Sequence, residues 1–158
     1  MFVYKQGDSR WADKTIGNTD LTLARWGCTI TSICMLFTKF YRKSLYPNEV
    51  CKTWKFTDKK TYPSLPEGLI LWHETDFDGM EFVKRGYGYN KEEIKKYAQD
   101  KNYAVIVEVE NRHWCAVTWF GGTWPVLADP WTGSTLWWWW LRYNSITGYA
   151  VFRKENVK

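Results

Sequence analysis

Between Cys28 and about Lys43, apolar side chains recur at three- and four-residue spacing. Ile30, Ile33, Phe37 and Phe40 mark one face, and Met35 and Leu36 widen it. That period predicts an amphipathic helix, with Gly27 just ahead of it. A second, shorter helix is expected from Pro47 to about Phe56, because proline is well suited to a first helical turn, where its missing N–H costs nothing. The first 25 residues carry turn signals (Gly7-Asp8, Gly17-Asn18) and read as a loop-rich lead-in. Residues 57–89 hold several Pro and Gly and read as irregular, with a short helix or strand near Leu69–His73.

The period changes after residue 100. Asn90 followed by Glu92 and Glu93 is a helix cap with acidic first-turn residues, so a helix is expected to about Asp100. Tyr103–Val109 is a β-branched run of strand length. His113–Phe120 reads as the next strand, Gly121-Gly122 as a hairpin turn and Trp124–Ala128 as a third strand. A tight turn over Asp129–Gly133 then leads to strands over Leu136–Tyr143 and Tyr149–Arg153. Helices first and strands later predict an α+β domain, with N-terminal helices packed on a C-terminal antiparallel sheet. At 158 residues, with no repeat and no linker composition, a single domain over 1–158 is expected.

Composition narrows the function classes. The chain is 45% hydrophobic and 19% aromatic, which excludes disorder and collagen-like structure. No apolar run approaches the ~18 residues of a membrane-spanning helix. The opening Met1–Asp8 lacks the basic-then-apolar layout of a signal peptide, so synthesis in the cytoplasm is expected, with any release to a cell wall left to a separate system. The net charge of +5 is modest, and Lys and Arg are scattered rather than drawn into a stripe. No nucleic-acid partner is expected, whereas an anionic wall polymer suits this charge.

The four cysteines, Cys28, Cys34, Cys51 and Cys115, show no Cys-x-x-Cys spacing and read as free thiols. A structural zinc site needs four ligands, and His113-Trp114-Cys115 offers two close together, so neither metal nor cofactor is expected. Cys28 stands out by position. A thiol at a helix start meets unpaired N–H groups and the positive end of the helix dipole, which favour the thiolate. His113 at a strand start can hold its proton, and Asp129 just past a strand end can orient that imidazole. Singly, each residue has an ordinary structural explanation; together, in the order Cys, His, Asp, they point to nucleophilic catalysis. His73, the other histidine, has no such aspartate turn near it. Asp76-Phe77-Asp78-Gly79 lacks the full ligand pattern of a calcium loop.

Four motifs carry a family resemblance. Gly27-Cys28-Thr29-Ile30-Thr31-Ser32 resembles the nucleophile motif of the double-glycine-leader (bacteriocin-processing) type of papain-like cysteine peptidases. Gln6-Gly7-Asp8-Ser9-Arg10-Trp11-Ala12 is similar to that family's N-terminal glutamine motif. His113-Trp114 and Asp129-Pro130-Trp131-Thr132-Gly133 resemble its histidine and aspartate motifs. The resemblance spans almost the whole chain. It implies a papain-like fold, with Cys28 as nucleophile, His113 as general base and then acid, Asp129 as orienter, and Gln6 as side-chain donor to the oxyanion. Thr29-Ile30-Thr31 departs from the glycine and proline that many relatives carry there. Stand-alone members with this opening look like phage and bacterial proteins, some of them wall-lytic, which makes peptidoglycan peptide the expected substrate and a protein substrate the alternative. A non-catalytic glycan- or protein-binding module on the same fold is the competing class.

Tryptophan is unusually frequent, with 12 in the chain. Trp11, Trp72, Trp114 and Trp131 are the candidates to line a substrate cleft. In a strand, Trp137 and Trp139 would point one way and Trp138 and Trp140 the other. One pair would then enter the core and the other would be covered by helices or form a surface for self-association.

Overall fold

In the computed structural model, which describes residues 1–155, the chain forms a mixed α+β domain around one six-stranded antiparallel sheet. The helices are α1 (Leu23–Trp26), α2 (Cys28–Tyr41), α3 (Pro47–Val50) and α4 (Lys91–Gln99). The strands are β1 (Met80–Tyr87), β2 (Tyr103–Val109), β3 (His113–Trp119), β4 (Val126–Asp129), β5 (Ser134–Leu136) and β6 (Ile146–Lys154). Their order across the sheet is β1-β6-β2-β3-β4-β5.

Alternation along the central strands builds two cores. Ala104 and Ile106 of β2, Trp114 and Ala116 of β3, Ala128 of β4 and Ala150 and Phe152 of β6 face α2, together with its Ile30 and Ile33. Ala150, Ile106, Ala116 and Ala128 are direct neighbours across four strands. This row of mostly small side chains lets the helix lie close to the sheet. Ser32 Oγ fixes the approach, donating to the Trp114 carbonyl at 3.0 Å. The intervening residues Val105, Val107, Val109, Cys115, Val117 and Leu127 point to the other face and pack with Ile94 of α4, Trp139 and Tyr143.

α2 occupies the segment its periodicity predicts, and α4 the segment its cap predicts, with Asn90 Oδ1 accepting from the Glu93 N–H at 3.2 Å. Three expectations are corrected. The helix at Pro47 ends at Val50 and does not run on to Phe56, which instead makes an isolated bridge to Ile70. Residues 80–87, read as irregular, form the edge strand β1. Its Lys84, Arg85 and Gly86, and a register shift between Phe82 and Lys84, hide the alternation, and charge is a common feature of protected sheet edges.

The third correction concerns the tryptophan run. The strand expected over Leu136–Tyr143 stops at Leu136, because in this antiparallel pair Leu136 lies opposite Leu127, one residue from the start of β4 at Val126, and Pro125 before it has no N–H to extend the ladder. The backbone closes on itself in a short 3-10 turn, Trp139–Leu141, with the Tyr143 N–H donating to the Trp139 carbonyl at 2.9 Å. Trp139 alone of the four is buried; Trp137, Trp138 and Trp140 are 61%, 60% and 40% exposed. The two-by-two division of a strand is absent.

Candidate active site

Cys28 is the first residue of the fourteen-residue helix α2 and is partly exposed. Gly27 before it is required by space: a Cβ there would lie 2.5 Å from the Leu23 carbonyl oxygen, which accepts the Gly27 N–H at the end of α1. This tight junction starts a new helix at Cys28 with no acidic residue in the first turn. The helix end therefore presents unpaired N–H groups and its positive dipole to the thiol.

His113 opens β3 and Asp129 closes β4. His113 Nε2 donates to Asp129 Oδ1 at 2.7 Å, and Asp129 is wholly buried. With Nε2–H committed to the carboxylate, Nδ1 is the nitrogen left for a thiol. Burial opposes charge on the imidazole, but hydrogen bonding with Asp129, Cys115 and Cys28 outweighs it and holds His113 well above an ordinary histidine. Burial likewise opposes the Asp129 carboxylate, yet hydrogen bonds from His113 and Tyr143, the His113 charge and the Trp131 N–H keep it below the usual range. The structure thus joins His113 of β3 directly to Asp129 of β4, and the Cys28 thiol of α2 lies near enough to His113 to contribute to its raised affinity for a proton.

Gln6 is 1% exposed and stands beside this group. Its backbone N–H donates to the Pro130 carbonyl at 2.7 Å, next to Asp129. Its Nε2 donates to the Ala24 carbonyl at 2.9 Å, in the turn that leads into Cys28. One amide N–H is thereby tethered and the second remains for another acceptor.

No family model, curated protein or solved structure matches the chain. Its chemistry is therefore read from the side chains themselves. His113, Cys115 and Asp129 offer ligand atoms within 4.8 Å of one another, the one such group of three among the described residues. Both Asp129 oxygens, however, already accept hydrogen bonds, Oδ1 from His113 and Trp131 and Oδ2 from Tyr143. Burial pushes the Cys115 thiol up to about 11, so it stays protonated at neutral pH.

The four tryptophans expected to line a cleft separate. Trp131 is half-exposed, its ring nearly perpendicular to that of His113 at a centroid distance of 6.5 Å. Trp11 is 1% exposed, stacked on Tyr46, with its Nε1 donating to the Lys5 carbonyl, so it is a core residue. Trp114 is also buried, under the Arg85 guanidinium, and Trp72 packs against Trp114 and Phe82. The cleft that Trp72 lines with His73 and Asp76 includes none of Cys28, His113 and Asp129. Sequence reasoning missed Trp26, half-exposed two residues before Cys28, and the pair Arg142 and Tyr143, both of which reach Asp129.

Proposed function

We propose that the chain is a cysteine hydrolase of peptide or amide bonds, papain-like in arrangement, with bacterial wall peptide as its substrate. The observation that carries this is the buried His113–Asp129 hydrogen bond at 2.7 Å, with the Cys28 thiol, at a helix start, near enough to help raise the affinity of His113 for a proton. Cys28 transfers its proton to His113 and attacks the carbonyl carbon. The tetrahedral oxyanion accepts from the Cys28 backbone N–H and the free N–H of Gln6. His113 gives the proton to the leaving amine as the C–N bond breaks. A water, deprotonated by His113, then attacks the thioester and regenerates Cys28 as the carboxylic acid leaves.

The wall assignment rests on the motif resemblance, the net charge of +5 and the half-exposed Trp131 and Trp26 on either side of the reacting groups in sequence. Positive charge favours approach to anionic wall polymers and fades with salt. The test is incubation of the protein and its Cys28→Ala variant with several wall preparations, followed by mass spectrometry of released amines. New termini made by the unsubstituted protein alone support the proposal, and the cleaved bond names the specificity. A processed protein substrate, with no wall release, would move the assignment to a protein-processing protease. The exposed Trp137, Trp138 and Trp140 favour a second reading, a binding surface on the same fold, which would stand if Cys28 proved inert.

A further inference from the structure

We infer that Tyr143, backed by Arg142, is the positioning residue of the reacting group, locking the Asp129 carboxylate so that one oxygen is left to hold His113. This rests on the hydrolase reading above. Tyr143 donates its hydroxyl to Asp129 Oδ2 at 2.7 Å, and its ring lies against the His113 ring, with centroids 5.5 Å apart. Arg142 Nε stands 3.2 Å from the same Oδ2 and 3.3 Å from the Tyr143 hydroxyl. Oδ1 meanwhile takes His113 Nε2 and the Trp131 N–H. The two carboxylate oxygens are thus assigned to different partners, which fixes the rotation of the carboxylate and with it the plane of the imidazole.

The tryptophan run explains how Tyr143 comes to be there. β5 ends at Leu136, Trp139 sinks into the core, and the 3-10 turn it anchors delivers Arg142 and Tyr143 back over β4. Tyr143 is buried, and burial together with its bond to Asp129 pushes its phenol well above the ordinary range, so it remains a donor at every pH the enzyme meets. The charged and titratable groups facing Asp129 are His113 and Cys115 from β3 and Arg142 and Tyr143 from this turn, with Cys28 of α2 beyond His113. Loss of the Tyr143 hydroxyl removes one of the bonds that keep Asp129 ionised, so the carboxylate protonates at higher pH. A protonated Asp129 no longer supports the imidazolium, and the thiolate is lost with it.

The test is the rate of Cys28 alkylation by iodoacetamide between pH 3 and 8, followed at the Cys28 peptide by mass spectrometry. It needs no knowledge of the substrate. In Tyr143→Phe, which keeps the ring, the acid limb should move up by about one pH unit, the worth of one hydrogen bond to a charged group. Arg142→Gln, at a side chain 41% exposed and so safe for folding, should move it in the same direction. An unmoved limb in both variants, or a uniform loss of rate without a shift, overturns the positioning role while leaving the hydrolase intact. A Cys28 that alkylates slowly at low pH in the unsubstituted protein overturns both.

Discussion

Asp129 accepts a hydrogen bond from His113 Nε2 at 2.7 Å while exposing none of its own surface. A carboxylate placed so deep is strongly disfavoured unless its oxygens are satisfied, and here His113, Trp131 and Tyr143 all donate to it. Removing it should therefore injure both stability and chemistry. Asp129→Ala leaves the Tyr143 hydroxyl and Arg142 facing an empty site and should cost about 3 kcal/mol or more in chemical denaturation. Asp129→Asn can still offer an oxygen to His113 and should be milder in both stability and turnover.

Cys28→Ala should separate chemistry from folding. The position is partly exposed and opens a helix, and alanine is the best helix former. Turnover should vanish, with stability changed by about 0.5 kcal/mol or less. A loss of several kcal/mol in thermal or urea unfolding would instead make Cys28 a packing residue.

The His113–Asp129 pair also sets a pH window for stability. His113 is raised in the folded state from 6.5, so its contribution is complete below pH 6.5 and is lost as pH climbs toward its folded value. Asp129 is lowered from 3.8, so its contribution is present above 3.8 and is lost as pH falls below that. The stability difference between the protein and His113→Ala should be largest between those two values and shrink on both sides. Urea midpoints measured from pH 3 to 9 would show a plateau flanked by two declines; a difference that grows above pH 7 would contradict the pairing.

Gln6→Ala should lower turnover by about 10²–10³-fold through loss of an oxyanion donor. Because Gln6 Nε2 also holds the Ala24 carbonyl, stability should fall by about 1 kcal/mol. Loss of stability with unchanged turnover would leave Gln6 as a brace for the turn before Cys28.

The tryptophan run should divide sharply under substitution. Trp139→Ala empties a buried site and should cost about 3–5 kcal/mol. Trp138→Ser, at a side chain 60% exposed, should change stability by about 0.5 kcal/mol or less. Sedimentation of the Trp137→Ser, Trp138→Ser double variant would also show whether these rings hold two copies together.

Where a segment's own pattern decided its structure, the sequence was readable. The α2 stripe from Ile30 to Phe40 and the β-branched run Tyr103–Val109 needed no knowledge of the rest of the chain. β1 was not readable, since its partner β6 lies far along the chain, and the charged Glu81, Lys84 and Arg85 together with a register shift break up its pattern. The Trp137–Trp140 run misled because strand-like alternation needs a neighbouring ladder, and β4 is too short to supply one. At the site, Cys28, His113 and Asp129 were legible as end-of-element residues. Tyr143 was not, because only the turn anchored by Trp139 carries it to Asp129. Trp11 and Trp114 were misassigned to a cleft because composition cannot tell a packed indole from an exposed one.

The most direct test of the thiolate–imidazolium pair is the alkylation rate of Cys28 by iodoacetamide at pH 6, in the protein and in His113→Ala. Fast modification that slows by about tenfold or more without the imidazole is the expected result, because the thiolate then loses the group that holds its proton. Equal rates in the two proteins would mean that Cys28 and His113 do not act together, and the hydrolase assignment would fall.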